Sequence, residues 1–260
     1  MFSIFSAMLK RSPAIYLWVW WRLFVSPPRS QSNEAEILEG LIANYAIPES
    51  FVEFGFGACE FNCARLLDRF EGLLIDGDHA NVRYARKILR NTRVSCLHQW
   101  ITLDTLGVVE DFTRGHGLGI LSVDVDGNDF WFLRKLIPMQ PAVIVCEFNR
   151  AFGDRLISVP YDEHFERFEK HASGLYFGAS LAAIDHLCRS QGYVLKAISS
   201  NGINAFFVRG DLLPVGDLPI DSLGVAGSTP GSDRFAEVAA LPFVDVTRLE
   251  PTPQPAGHRS

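Results

Sequence analysis

The stretch VEFGFG, residues 52–57, decides the fold, because it ends an apolar run and begins a two-glycine turn. The run Ser50–Phe54 predicts a buried strand, and glycine lets the backbone turn tightly beneath a ligand. A dinucleotide fingerprint would have a third glycine where Cys59 or Glu60 stands, so a pyrophosphate ligand is disfavoured. Glu53, at the strand end, would attract a ligand with a cationic end. The alternative is a glycine turn beside a surface glutamate.

A second acidic stretch, LLIDGD at residues 73–78, ends the next predicted strand. Asp76 lies 19 residues after the second glycine of the turn. An acid at about this spacing binds ribose hydroxyls in nucleoside-binding α/β folds, so Asp76 is the preferred ribose ligand and Asp78 the second. Gln99 and Trp100, which follow the third predicted strand, would lie near the adenine. The predicted cofactor site comprises Glu53, Gly55, Gly57, Asp76, Gly77, Asp78, Gln99, Trp100 and, after the fourth strand, Asp124.

Three carboxylates and an amide follow the fourth predicted strand in LSVDVDGND, residues 121–129. The fifth predicted strand leads comparably into Glu147 and Asn149. Open α/β sheets bind ligands at these strand ends, so Asp124, Glu147 and Asn149 could hold Mg²⁺ or another hard divalent cation. Alternatively, Asp124 contacts the cofactor, and Asp129 caps and charges the helix that follows.

Strands and helices alternate around these motifs. Further strands are predicted at Gly72–Ile75, Val94–Leu97, Gly119–Val123 and Ala142–Cys146. Helices are predicted at Glu34–Tyr45, Glu60–Arg69, Ala80–Arg90, Phe130–Leu136 and Ser180–Gln191. Near-continuous apolar strands predict a parallel sheet with helices on both faces. Tyr193–Ile198 and Ala205–Arg209 flank an Asn-Gly turn, which predicts a terminal antiparallel hairpin.

The chain divides into three predicted regions: an appendage at 1–33, a domain at 34–210 and a Pro/Gly-rich tail at 211–260. Within the domain, residues 149–178 contain no clear strand and one predicted helix, Asp162–His171. A connection this long is usually functional or disordered. We expect this insertion to form the wall and lid of an acceptor site. The alternative is that its aromatic residues form a satellite core under a long loop.

The appendage is basic and rich in tryptophan, and the first acidic residue of the chain is Glu34. Arg22 interrupts its apolar run, which is therefore too short to span a bilayer. One interpretation is an interfacial helix, through which residues 1–28 contact a membrane surface. The other is a helix that packs on the domain or on a second subunit, which would make the protein a homo-oligomer.

Composition excludes some classes of partner. The 260 residues carry a net charge of −6, which disfavours nucleic-acid binding through phosphate neutralisation. Five cysteines without zinc spacing indicate reduced thiols and a reducing compartment. We therefore expect a cytoplasmic protein, either free or peripheral at the membrane.

Residues 51–209 resemble the FkbM-like branch of class I S-adenosylmethionine (SAM)-dependent methyltransferases. The motifs that carry the resemblance are VEFGFG, LLIDGD, LSVDVDGND, VIVCEFN, SVPYD at 158–162, FGASL at 177–181 and NAFFVR at 204–209. The class I sheet ends with an inserted antiparallel strand, unlike most NAD-binding sheets. The resemblance implies a Rossmann-like fold, SAM as cofactor, and O-methylation of a sugar, glycolipid or secondary metabolite. Family members typically have Asp-x-Glu-Gly where Asp124-Val125-Asp126-Gly127 stands.

Methyl transfer needs a positioned acceptor and a group that takes its proton. Asp126 is the first candidate base, and His164 on the insertion is a weaker one. A cation that lowers the pKa of the acceptor hydroxyl is an alternative. Two other functions compete with methyl transfer: an NAD(P)-dependent oxidoreductase, and a non-catalytic membrane-associated protein that retains the fold.

Overall fold

The computed structural model describes residues 28–57, 60–217 and 234–252. The predicted membrane-surface or subunit contact of the appendage concerns residues that lie mostly outside these ranges. Within the described ranges, no helix combines the length and apolar character that crossing a bilayer requires.

The described residues form nine strands, seven of which make up the main sheet in the order β3-β2-β1-β4-β5-β8-β7. The strands are β1 (Ser50–Phe54), β2 (Glu71–Asp76), β3 (Val94–His98), β4 (Ile120–Val123), β5 (Val143–Glu147), β6 (Ile157–Ser158), β7 (Tyr193–Ile198), β8 (Asn204–Arg209) and β9 (Val244–Asp245). Strands β1 to β5 pair in parallel, and β8 is inserted antiparallel between β5 and β7. This topology confirms the predicted Rossmann-like α/β sheet of class I methyltransferase type.

Helices cover both faces of the main sheet, as predicted. They are α1 (Glu34–Asn44), α2 (His79–Ile88), α3 (Gly107–Thr113), α4 (Asp129–Leu136), α5 (Arg167–Lys170) and α6 (Leu181–Ser190). Helices α1 and α2 pack on the face that carries Phe51 and Val145, and α3, α4 and α6 pack on the face that carries Phe54 and Val123. Both faces of the central strands are therefore covered by helices, which accounts for their near-continuous apolar sequences.

Two predicted helices are wrong in extent. Glu60–Arg69 contains only a 3₁₀ turn at Ala64–Leu66, in which the N–H groups of Ala64 and Leu66 donate to the carbonyls three residues earlier. The predicted helix Asp162–His171 shrinks to α5. Its first half contains only a turn, in which the N–H of Phe165 donates to the carbonyl of Asp162 at 3.1 Å and Phe165 enters a small core.

The insertion at 149–178 does contain a strand, contrary to expectation. Strand β6 pairs with β9 from the C-terminal region, a contact between distant segments that local sequence patterns do not reveal. The C-terminal region also contains a 3₁₀ turn at Arg234–Glu237. Val238 and Phe243 then pack into a satellite core with the insertion.

Candidate functional site

The first loop follows β1 and requires glycine at its first position. Gly55 has a φ of +71°, and a Cβ there would lie 1.6 Å from the carbonyl oxygen of Asp124. The N–H of Gly55 donates to the carbonyl of Ile75, while the N–H of Asp124 donates to Phe54, both at 3.0 Å. The ends of β1, β2 and β4 are therefore drawn together beneath this loop.

Glu53 is a buried support of the loop, 1% exposed, so the surface-glutamate alternative is wrong. Its two carboxylate oxygens accept the N–H groups of Asn62 at 2.7 Å and Cys63 at 2.9 Å. Burial raises the pKa of Glu53 to about 7, although these two hydrogen bonds oppose the shift. The carboxylate thus fixes the chain where it leaves the glycine loop.

Asp76 lies at the end of β2 and holds the loop from the other side. Its carboxylate accepts the N–H of Phe56 at 3.0 Å and that of Asp78 at 2.6 Å. Burial raises the pKa of Asp76, and the hydrogen bonds partly offset that effect. The amide of Asn81 donates to the carbonyl of Phe56 at 2.8 Å, so both backbone polar groups of Phe56 are fixed. Asp78 caps α2 through the N–H of Ala80.

The two predicted adenine neighbours lie beside this loop. Gln99 donates its backbone N–H to the carbonyl of Asp76 at 3.0 Å. The ring of Trp100 covers Gly77, where a Cβ would lie 2.8 Å from a ring carbon. Trp100 is 47% exposed, and its indole N–H donates to the carbonyl of Glu163 in the insertion at 2.8 Å. The structure therefore brings the predicted cofactor residues to one edge of the sheet.

Three carboxylates converge where β4 and β5 end. Asp124, Asp129 and Glu147 each present an oxygen, and these oxygens lie within 4.8 Å of one another. The carboxylate of Asp129 also accepts the N–H groups of Val125 at 2.7 Å and Gly127 at 2.9 Å, which fixes the loop before α4. We call Asp124, Asp129 and Glu147 the acidic cluster.

The structure brings Asp129, which the predicted ligand set did not include, beside Asp124 and Glu147, and it gives Asn149 a set of backbone partners. The amide nitrogen of Asn149 donates to the carbonyls of Leu175 at 2.7 Å and Phe177 at 2.9 Å. Its amide oxygen accepts the N–H of Ala151 at 3.0 Å. Asn149 is therefore occupied in anchoring the insertion to the end of β5.

The electrostatics of the acidic cluster suit a hard divalent cation. Burial, followed by repulsion from the other carboxylates, raises the pKa of Asp124 and of Glu147 well above the ordinary range. Oxygen Oε2 of Glu147 is buried and has no hydrogen-bond partner among the described residues. An all-oxygen donor set with an unpaired buried oxygen fits Mg²⁺ or a similar ion, whose charge would offset the repulsion.

Neither of the two predicted bases, Asp126 and His164, belongs to the acidic cluster. Asp126 has a φ of +57°, its side chain is 64% exposed, and it forms an ion pair with Arg167. The guanidinium of Arg167 lies 3.6 Å from the centroid of the Phe177 ring, which holds the pair in place. His164 is exposed on the insertion, and its backbone N–H donates to Asp162.

The insertion crosses the carboxyl edge of the sheet. The amide of Asn128 donates to the carbonyl of Asp162 at 2.8 Å, and a Cβ on Gly127 would lie 2.2 Å from the ring of Phe165. The hydroxyl of Tyr161 accepts the N–H of Leu103 at 3.1 Å. Most of the aromatic residues of the insertion form the satellite core, namely Phe152, Phe165, Tyr176 and Phe177. Tyr161 packs instead on the main core.

Sequence reasoning missed several buried polar residues of this edge. Glu34, at the start of α1, is fully buried and adds to the repulsion that raises the pKa of Glu53 and Asp124. Asn204 begins β8, one residue before the predicted strand, and stands opposite Glu147. The predicted antiparallel hairpin could have indicated Asn204, because its pairing places a residue of β8 beside the end of β5.

Some solved structures are similar in fold to this chain, at low sequence identity. No family model matches the chain, and no curated protein matches it. A methyltransferase from Geobacter sulfurreducens is 16% identical, with a TM-score of 0.44 over 80% of this chain and 96% of that chain. An O-methyltransferase from Bacillus cereus, solved in complex with SAH, is 14% identical, with a TM-score of 0.44 over 67% of this chain and 78% of that chain.

Proposed function

We propose that this protein transfers the methyl group of SAM to a hydroxyl oxygen of a small-molecule or glycan acceptor, such as a sugar, a glycolipid or a secondary metabolite. The observation that carries the proposal is the meeting of two features at one sheet edge. One is the glycine loop held by Asp76 and Asn81, and the other is the acidic cluster. Cofactor and acceptor need adjacent sites, and the carboxyl edge of an α/β sheet offers them.

The loop supports a nucleoside cofactor with a cationic end. Each oxygen of Asp76 accepts one backbone N–H and retains a lone pair, so the carboxylate can also accept ribose hydroxyls. Trp100, half exposed above Gly77, offers a ring edge or face to the adenine. The carboxylates of Glu53 and Asp124 favour the ammonium and sulfonium groups of SAM and disfavour a pyrophosphate.

The acidic cluster supports deprotonation of an acceptor hydroxyl. In-line attack on the methyl group needs an oriented oxygen and a nearby proton acceptor. Glu147, with its unpaired buried oxygen, is better suited to that role than Asp126, which is exposed and paired with Arg167. Alternatively, Asp124, Asp129 and Glu147 would hold a divalent cation, which when bound would lower the pKa of the acceptor hydroxyl.

Calorimetry with SAM, S-adenosylhomocysteine (SAH) and NADH tests the cofactor. We expect binding of SAM and SAH and none of NADH, whereas binding of NADH alone would favour the oxidoreductase. Mass spectrometry after incubation with deuteromethyl SAM and a panel of hydroxylated acceptors then tests the reaction. Binding of SAH without transfer to any hydroxyl in the panel would contradict O-methylation of these acceptor classes.

A further inference from the structure

Glu147 and Asn204 are directly opposite each other in the antiparallel ladder of β5 and β8. The N–H of Phe148 donates to the carbonyl of Ile203 at 2.9 Å, so Phe148 and Ile203, the next pair along the ladder, are a hydrogen-bonded pair. Glu147 and Asn204 therefore form a non-hydrogen-bonded pair, in which side chains approach most closely. Both side chains lie on the face of the sheet that α1 and α2 cover.

The side chain of Asn204 is buried without a partner. Asn204 is 1% exposed, and neither its amide oxygen nor its amide nitrogen has a hydrogen-bond partner among the described residues. Its backbone is held by Ser199, whose hydroxyl accepts the Asn204 N–H at 2.9 Å and whose N–H donates to the Asn204 carbonyl at 2.9 Å. The adjacent Oε2 of Glu147 is also unpaired. Buried polar atoms normally find a partner, so two neighbouring side chains with unpaired atoms indicate a missing ligand.

We propose that the amide oxygen of Asn204 is the neutral ligand of a hard divalent cation that Asp124, Asp129 and Glu147 hold. Such cations take carboxylate and amide oxygens together, and an ion beside Glu147 would satisfy both unpaired oxygens. A bound hydroxyl would satisfy hydrogen bonds but would leave the repulsion among three carboxylates within 4.8 Å of one another. The inference rests on the proposed function, because it assigns a ligand at the acceptor half of the same site.

Titration of the purified full chain with Mn²⁺, followed by electron paramagnetic resonance, tests the inference. We expect the unaltered protein to bind one Mn²⁺ at this site. Asn204→Leu should weaken that binding by about tenfold or more, while Asn204→Asp, which keeps an oxygen at the same place, should retain it. Asn44→Leu is the matched control, because Asn44 is exposed on α1, and it should bind Mn²⁺ normally. SAH affinity should stay unchanged in all three variants.

Absence of Mn²⁺ binding by the unaltered protein would overturn the inference, as would normal binding by a folded Asn204→Leu protein. If that variant does not fold, anomalous diffraction from Mn²⁺-soaked crystals of the unaltered protein decides the question. An ion within about 2.6 Å of the Asn204 amide oxygen supports the assignment, and an ion elsewhere refutes it. Mn²⁺ binding without SAH binding would contradict the proposed function and leave the cation site intact.

Discussion

Asp76 accepts a hydrogen bond from the backbone N–H of Phe56 at 3.0 Å, which joins the end of β2 to the glycine loop after β1. Asn81 binds the carbonyl of the same residue at 2.8 Å. The residue proposed to bind ribose therefore also shapes the loop beneath the cofactor. A substitution of Asp76 alone cannot distinguish these two roles, so the first prediction pairs it with a substitution of Asn81.

Asp76→Asn should weaken SAM binding by about 1–3 kcal/mol, because the amide replaces one of the two carboxylate oxygens, both acceptors of ribose hydroxyls, with a donor. Asn81→Ala removes the other anchor of Phe56 and a side-chain contact to Asp76 but keeps the carboxylate, so it should change SAM affinity less. Calorimetry on both proteins measures the difference. Equal losses of affinity would show that Asp76 acts through the loop and does not bind the ribose.

Gly55→Ala should destabilise the protein by at least about 3 kcal/mol. The new Cβ would lie 1.6 Å from a backbone oxygen, and the positive φ adds a further penalty for any residue other than glycine. Gly57→Ala is the matched control, since its Cβ would lie 3.2 Å from the Glu60 side chain without a positive φ. Chemical denaturation compares the two. A Gly55→Ala protein as stable as Gly57→Ala would mean that the loop does not pass so close to Asp124.

Glu53 should make stability depend on pH. Its pKa is about 7 in the folded protein against an ordinary value of 4.5, so the folded state binds the proton more tightly than the unfolded chain. The contribution of Glu53 to the free energy of unfolding should therefore decrease as pH rises from about 4.5 to 7, by up to about 3 kcal/mol. Denaturation at several pH values measures the slope.

Glu53→Gln should flatten this slope, because glutamine does not titrate. Glu49→Gln, at an exposed position just before β1, should keep the slope of the unaltered protein. Identical slopes in the unaltered and Glu53→Gln proteins would contradict the shifted pKa.

Much of the fold was predictable, because β1, β2, β4 and β5 are buried on both faces and so have continuous apolar sequences. The failed helix at Glu60–Arg69 shows the limit of this reasoning. Its apolar residues fit a helical period, but the N–H groups of Ala64, Leu66 and Arg69 donate to carbonyls three residues earlier. The sequence pattern does not distinguish these 3₁₀ bonds from the i−4 bonds of an α-helix.

The candidate site could be predicted from the sequence only in part. Carboxyl ends of parallel strands meet at one edge, so Asp124 and Glu147 could be placed together from the sequence. The place of Asp129 beside Asp124 and Glu147 could not be predicted, because it depends on the backbone N–H groups of Val125 and Gly127 that its carboxylate accepts. The position of Asn204 opposite Glu147 depends on the register of β8 against β5, which the sequence does not specify to one residue.

Asn149→Leu should destabilise the protein by about 2–3 kcal/mol and leave the Mn²⁺ affinity of the folded protein intact. The change removes an amide that donates to the carbonyls of Leu175 and Phe177 and accepts the N–H of Ala151. Thermal unfolding and Mn²⁺ titration separate the two effects. Loss of Mn²⁺ affinity in the folded variant would show that Asn149 is a metal ligand.

The last prediction concerns the insertion, which two hydrogen bonds tie to the segment after β3. Trp100 donates to the carbonyl of Glu163 at 2.8 Å, and Tyr161 accepts the N–H of Leu103 at 3.1 Å. The double variant Trp100→Phe/Tyr161→Phe removes both bonds and keeps the aromatic rings. If residues 149–178 form the acceptor wall, kcat/KM for the acceptor at saturating SAM should fall about tenfold or more, while Tm changes little.

Two controls distinguish an acceptor wall from a purely structural insertion. Phe168→Ala, at a position 66% exposed on α5, should leave both activity and stability unchanged. Tyr176→Phe removes a hydrogen bond to the carbonyl of Pro242 within the satellite core, so it should lower Tm without altering kcat/KM of the folded protein. If the double variant behaves like Tyr176→Phe, with reduced stability and normal turnover, the insertion supports the fold and does not contact the acceptor.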